Sequence, residues 1–233
     1  MSSVVEPIDF FSVLGVRAYV TTRHFGTLSN ASDEPVSVVM DRWSKLRTGI
    51  LATHRFATAH QVHGTTVLTH IPGWTGWLRG EAADGHIAPN RGTGLAVTVA
   101  DCVPVFLAHP SGTVAAIHSG WRGTAAGILT VALAQLATLG FAVRDVRVYL
   151  GPAICGACYE VSPDVYAQLT GRTVESPTVV DLREILTQQA RAAGVHDGNI
   201  AISDRCTRCD NDIYYSHRAG DAGRQVGAII ADI

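Results

Sequence analysis

Charge is scarce in this chain: 16% of its 233 residues are Asp, Glu, Lys or Arg, and the formal net charge is −2. With 47% apolar residues beside it, that scarcity excludes a disordered chain. The absence of a basic surplus excludes a general nucleic-acid binder. No apolar run approaches the ~18 residues that suggest a membrane span, and Met1 to Asp9 lacks the basic region and apolar stretch of a secretory signal. Five cysteines, an odd number in a chain of ordinary length, do not make a secreted disulfide framework. A reducing cytoplasm is the expected compartment, and a special cysteine there is a ligand, a nucleophile or core filling. Repeats, heptads and long linkers are absent too, so residues 1–233 read as one domain.

The pattern of what remains predicts alternating strands and helices. Val16 to Thr21 reads as a strand. Ser32-Asp33-Glu34-Pro35 starts a helix reaching about Leu51, with Pro35 in its first turn. Thr65 to His70 is a strand, followed by a Gly- and Trp-rich loop from Ile71 to Gly85. Leu95 to Ala108 and Thr113 to His118 are Val-rich and read as a hairpin. Thr124 to Leu139 is a helix closed by Gly140, Val146 to Leu150 a buried strand, Thr178 to Ala193 a helix, and Val226 to Ala231 the last strand. The irregular alternation with hairpins favours mixed α and β elements (α+β) around one core over a doubly wound sheet.

The hairpin turn His109-Pro110-Ser111-Gly112 sets a register. A two-residue loop pairs Val103 with His118 and sends Cys102 to the other face. A three-residue loop, Pro110-Ser111-Gly112, fits better, because Pro takes the first turn position and Gly the left-handed one. It pairs Pro104 with His118 and makes Cys102 a diagonal neighbour on the same face, within reach of one ion. A buried thiol and a satisfied histidine would explain the same two residues. His60 and His63 offer a third ligand, at most one of them if the segment is a strand.

The ordered set Gln61-Val62-His63-Gly64, Ala83-Asp84-Gly85, Ala100-Asp101-Cys102-Val103-Pro104, His118-Ser119-Gly120-Trp121-Arg122-Gly123 and Gly151-Pro152 resembles the laccase-domain family, the multicopper polyphenol oxidase-like or YfiH-type group. The likeness runs on through Tyr159-Glu160-Val161, Tyr215-Ser216-His217-Arg218 and Gly223-Arg224. It implies a mixed α/β domain of packed sheets with outer helices, and a catalytic zinc on His63, Cys102 and His118. It also implies purine nucleoside phosphorylase activity toward adenosine, inosine, guanosine and methylthioadenosine, with adenosine deaminase activity at the same centre. Departures fall in the N-terminal substrate loop, where the resemblance places Arg23: the segment reads Thr22-Arg23-His24-Phe25-Gly26-Thr27-Leu28-Ser29, and the loop after it is shortened. Asp41-Arg42 also stands where Asn-Arg is usual, and Ala219 follows Arg218.

Three His and Cys ligands leave a fourth tetrahedral position open, as catalytic zinc requires, and zinc there brings the pKa of water to ~7. Related ligand sets serve zinc deaminases. Asp101, next to Cys102, is the candidate proton shuttle, with a plain turn carboxylate as its alternative. Gly120-Trp121-Arg122-Gly123 opens the helix expected near Thr124. Phosphate on its N–H groups, at Gly120 and Gly123, and on the planar fork of Arg122 is one reading, and a tight glycine turn with a solvated Arg122 is the other; the resemblance favours the first. Copper could occupy the ligands adventitiously. A true laccase has little support, since none of the ten histidines forms a His-x-His pair. Two other readings stay open: a zinc hydrolase editing cell-wall precursors, and a non-catalytic zinc-stabilised binder using the loop Trp74 to Trp77. Nothing in the sequence fixes an oligomeric state.

Cys155-x-x-Cys158 and Cys206-x-x-Cys209 form a second set, with 47 residues between the pairs. That spacer far exceeds the ~15–20 of a zinc ribbon. A structural metal, a redox pair and ordinary thiols all fit the sequence.

Overall fold

The computed structural model describes residues 3–29 and 31–233, so Met1 and Ser2 of the N-terminal segment lie outside it. Two six-stranded sheets dominate. The first has the order Val5–Pro7, Val16–Thr21, Gln225–Ala231, Thr93–Val99, Arg55–Ala59, Gly76–Gly80, and the second Ile200–Ile202, Arg147–Leu150, Val103–Ala108, Val114–Ser119, Gly85–Ala88, Val67–Thr69. Both mix parallel and antiparallel pairs. This is the mixed α/β architecture of packed sheets and outer helices that the sequence predicts.

Central strands are apolar on both faces because both faces are covered. Along Gln225–Ala231, Val226, Ala228 and Ile230 point to one cluster while Ile229 and Ala231 point to another. Along Val103–Ala108, Val105 and Leu107 face the outer helices while Phe106 and Ala108 face the first sheet. Strand alternation thus builds three hydrophobic layers rather than the one core expected. The helix Val36–Ser44, continued as π-helix over Lys45–Ile50, seals the outside of the first sheet with Val39, Trp43 and Leu46. Those residues recur at one-turn spacing on a single face. Helices Ile128–Thr138 and Leu182–Ala192 cover the second sheet with Leu129, Leu133, Leu136, Leu182 and Leu186. Full burial of each such side chain contributes about 1.5–3 kcal/mol.

Several boundaries differ from expectation, each for a physical reason. The expected single run Leu95 to Ala108 is two strands in different sheets, because the chain turns at Asp101 (φ 79°). The Gly- and Trp-rich segment is not all loop: Gly76–Gly80 adds a parallel edge strand to Arg55–Ala59, and Trp77 packs with Trp43 and Phe56. The helix expected from Thr124 begins at Trp121, ends at Ala125, and resumes at Ile128 after Gly127. The helix expected from Thr178 starts at Leu182, where the Asp181 carboxylate caps it by accepting the Arg183 N–H; Thr178–Val179 pairs instead with Glu160–Val161. The hairpin has the three-residue loop: Ala108 pairs with Val114, Pro104 with His118, and Gly112 is left-handed (φ 91°).

Candidate metal centre

The crossing between the sheets creates the site. Val99 ends a strand of the first sheet and Val103 begins one of the second, so Cys102 lies in the turn that joins them. His118 sits on the neighbouring strand, beside Pro104. His63 arrives from the loop after Arg55–Ala59, a loop tied to the first sheet by Gln61. The Gln61 amide donates to the Thr98 carbonyl (2.8 Å) and accepts the Thr98 N–H (2.7 Å). Segment 60–64 is not a strand, and its two imidazoles part company: His63 joins Cys102, whereas His60 lines a separate cavity with Trp43 and Trp77. One ligand atom from each of His63, Cys102 and His118 lies within 4.8 Å of the other two.

Asp84 organises this trio. Its carboxylate is fully buried and accepts four hydrogen bonds: from the backbone N–H groups of Val62 (3.1 Å), His63 (2.9 Å) and Gly64 (2.8 Å), and from His118 Nδ1 (2.8 Å). The first three hold His63 at φ 60°, a conformation costly for a non-glycine residue. The fourth fixes the His118 tautomer and leaves Nε2 free to ligate. Close packing excludes a side chain at position 120: a Cβ on Gly120 would stand 2.9 Å from Cys102 Sγ and 3.0 Å from His63 Cδ2.

Electrostatics match a cation. Burial pushes the Cys102 thiol up, but the His118 and His63 imidazoles more than reverse this and bring it to about 6. Burial likewise lowers His118, and the Cys102 thiolate and Asp84 raise it to about 9. For Asp84, burial raises the pKa, but His118 and the Gly64 and Val62 N–H groups more than reverse this and lower it below the usual carboxylate range, so the carboxylate stays ionised. A thiolate and an imidazole sharing a proton are a pair in which a divalent ion can replace that proton. A soft thiolate with two imidazoles suits zinc, and three protein ligands leave a coordination position for another group.

A cavity of about 320 Å³ opens over His63 and Cys102, with His118 buried outside its lining; Asp101, Trp121, Arg122, Ile154, Tyr159, Leu182, His217 and Arg218 are among the other wall residues. That volume is at the small end of ligand pockets. The Arg122 guanidinium lies over the Trp121 ring (4.4 Å) and that of Arg218 over Tyr159 (5.0 Å). Burial pushes the Tyr159 hydroxyl up to about 12, so it remains a donor at neutral pH. Gly120 caps the Trp121–Ala125 helix and Gly123 is buried within it, close to the Gly64 carbonyl. This helix is a single turn, so Arg122 rather than a helix dipole supplies the positive charge.

Asp101 and Arg23, both singled out from sequence, take different positions relative to the cavity. Asp101 lines the cavity, but Oδ1 accepts the Thr207 hydroxyl (2.6 Å) and Oδ2 the Arg218 N–H (2.7 Å). Its left-handed backbone and these bonds make it a brace for Arg218. Arg23 is not among the cavity-lining residues: it pairs with Asp221 (2.6 Å), donates to the Asn211 and Tyr214 carbonyls, and stacks on Tyr215. Sequence reasoning quoted Asp84, Tyr159 and Arg218 within motifs without giving them roles. The signal for Asp84 was its place in the Ala83-Asp84-Gly85 motif, directly before the strand Gly85–Ala88.

Two facing mixed sheets with outer helices and an open His-Cys-His trio at their junction define a class of metal-site protein. The chain belongs to the multi-copper polyphenol oxidoreductase laccase family, whose sequence model matches residues 17–232. It is 34% identical over 214 residues to a purine nucleoside phosphorylase of Corynebacterium glutamicum, covering 88% of this chain and 86% of that one. It is 31% identical over 255 residues to the purine nucleoside phosphorylase YlmD of Geobacillus stearothermophilus, covering 92% and 90%. Among solved structures it is similar to a hypothetical protein YfiH of Bacillus licheniformis, with a TM-score of 0.89, 25% identity and coverage of 98% and 97%. The crystal structure of Geobacillus YlmD gives a TM-score of 0.87 at 29% identity, covering 94% and 93%. Among the described residues no helix is long and apolar enough to cross a membrane.

Proposed function

We propose that the chain is a zinc-dependent purine nucleoside phosphorylase that also deaminates adenosine, with adenosine, inosine, guanosine and methylthioadenosine as substrates. One observation carries this reading: the cavity is lined by His63 and Cys102, two members of the trio that His118 completes from beneath, and by two guanidinium groups, Arg122 and Arg218. Zinc on the trio would supply Lewis acidity to a polar group of the substrate.

The chain's own groups supply the rest. Arg122 and Arg218 grip phosphate through planar forks. In phosphorolysis a phosphate oxygen bonds to C1′ as the bond from C1′ to the base breaks; the base leaves with the electron pair and takes a proton. Trp121 and Tyr159 offer aromatic faces for a flat base. Asp101 positions Arg218 through its backbone N–H. In deamination, water adds at C6 and ammonia leaves.

Polyphenol oxidation, which the family's description suggests, finds no support in the site. Among the described residues the groups of three or more potential ligands are the trio and an all-cysteine cluster. Neither is the many-imidazole cluster of a multicopper oxidase. Incubation with adenosine and phosphate tests the proposal. Adenine or hypoxanthine with ribose 1-phosphate is expected, and Cys102→Ala abolishes both. No turnover by fully zinc-loaded protein refutes it and favours a binding protein.

A further inference from the structure

The second cysteine set lies outside the cavity-lining residues, and the fold brings all four thiols together despite the long spacer. One sulfur each from Cys155, Cys158, Cys206 and Cys209 lies within 4.8 Å of the other three, and the Cys158 and Cys209 sulfurs are 3.5 Å apart. Four thiolates on a tetrahedral zinc at ~2.3 Å stand about 3.8 Å from one another. All four cysteines are free thiols. We infer that they form a second, closed zinc site with a structural role.

The surroundings favour ligation over four idle thiols. The Cys206 sulfur accepts the backbone N–H groups of Cys155 (3.3 Å) and Cys209 (3.4 Å). Such bonds stabilise the thiolate that a metal requires and orient its lone pairs. An Ala153–Cys206 bridge and the Thr207 N–H to Ala153 carbonyl bond (3.1 Å) align the two knuckles. Four thiolates around a divalent ion leave a net negative charge, and a cationic side chain is tied to the same loop: Arg208 donates to the Cys158 carbonyl (3.2 Å). Four sulfurs close the coordination shell, which separates this site from the open trio.

Its position gives it a purpose. The first knuckle lies between Ile154 and Tyr159, both in the cavity wall. The second contains Thr207, whose hydroxyl braces Asp101. Zinc here would fasten two loops that shape one side of the cavity, whatever substrate enters it.

Elemental analysis of protein purified under reducing conditions tests the assignment. Wild type is expected to carry two zinc ions per chain, Cys158→Ser/Cys209→Ser one, and Cys102→Ala one. Zinc-edge X-ray absorption on Cys102→Ala is expected to show four sulfurs at ~2.3 Å; this measurement decides the matter if the serine variant fails to fold. A single zinc in wild type with none in Cys102→Ala overturns the inference. So does iron as the second metal, or recovery of Cys158 and Cys209 as a disulfide. None of these outcomes depends on turnover, so failure here leaves the proposed reaction standing, and the converse also holds.

Discussion

Replacing Asp84 by Asn preserves shape and removes one acceptor from a carboxylate that serves four donors. The amide nitrogen must face donors in either orientation. Turned toward His118, it forces Nδ1 to accept; the ring proton moves to Nε2, and the ligand is lost. Turned toward Val62 and Gly64, it leaves two backbone N–H groups without an acceptor, at about 1–3 kcal/mol each before the loop relaxes. Relaxation releases His63 from φ 60° and moves it off the site. Loss of such an outer partner weakens metal binding roughly 10- to 100-fold, or about 1.4–2.7 kcal/mol. Competition for zinc against a chromophoric chelator measures this directly, with thermal unfolding alongside. Zinc affinity within about twofold of wild type, with an unchanged unfolding midpoint, would refute the role assigned to Asp84.

Gly120→Ala places a methyl 2.9 Å from Cys102 Sγ and 3.0 Å from His63; zinc content at the trio is expected to fall while the circular dichroism spectrum stays native. Arg122→Ala is expected to raise the KM for phosphate by at least tenfold and to spare adenosine deamination, as product analysis with and without phosphate will show. The buried pair His70 and His86, joined at 2.9 Å, gives a pH dependence. Burial, then the neighbouring His70, lowers His86 to about 3, so the unfolded chain binds a proton below ~6.5 that the folded chain refuses. Stability should therefore decline by about 1.4 kcal/mol per pH unit on acidification from that point toward pH 3. Urea midpoints at pH 7 and 5 test this, and a His86→Gln variant that keeps the full wild-type slope would contradict it.

Much of the site was legible because it rests on short-range rules. A proline and a glycine in the right places of one turn put Pro104 opposite His118, and Cys102 followed as the diagonal neighbour. The strand Val16–Thr21 was readable throughout from its composition. What was hidden depends on long-range choices. Apolar content cannot reveal that residues 93–108 change sheets, because both halves are buried on both faces; the reversal rests on the left-handed backbone at Asp101. The helix after Gly120 looked continuous because Ala and Leu favour helix throughout it, and only the conformation at Gly127 breaks it. The role of Asp84 stayed out of view because it serves backbone N–H groups, which every sequence possesses. Arg23 looked available because its acceptors, Asp221 among them, come from the opposite end of the chain.

The strand crossing at residues 100–102 also bears on the order of assembly. A ligand pocket drawn from one hairpin could exist in a half-formed chain, whereas this one needs contributions from both halves of the sandwich already docked. Zinc at the trio should act late, binding the finished molecule and hardly any precursor. Its benefit would then appear as slower unfolding, with little change in the speed of folding. Chelators should shorten the lifetime of the native protein and leave its refolding rate almost untouched.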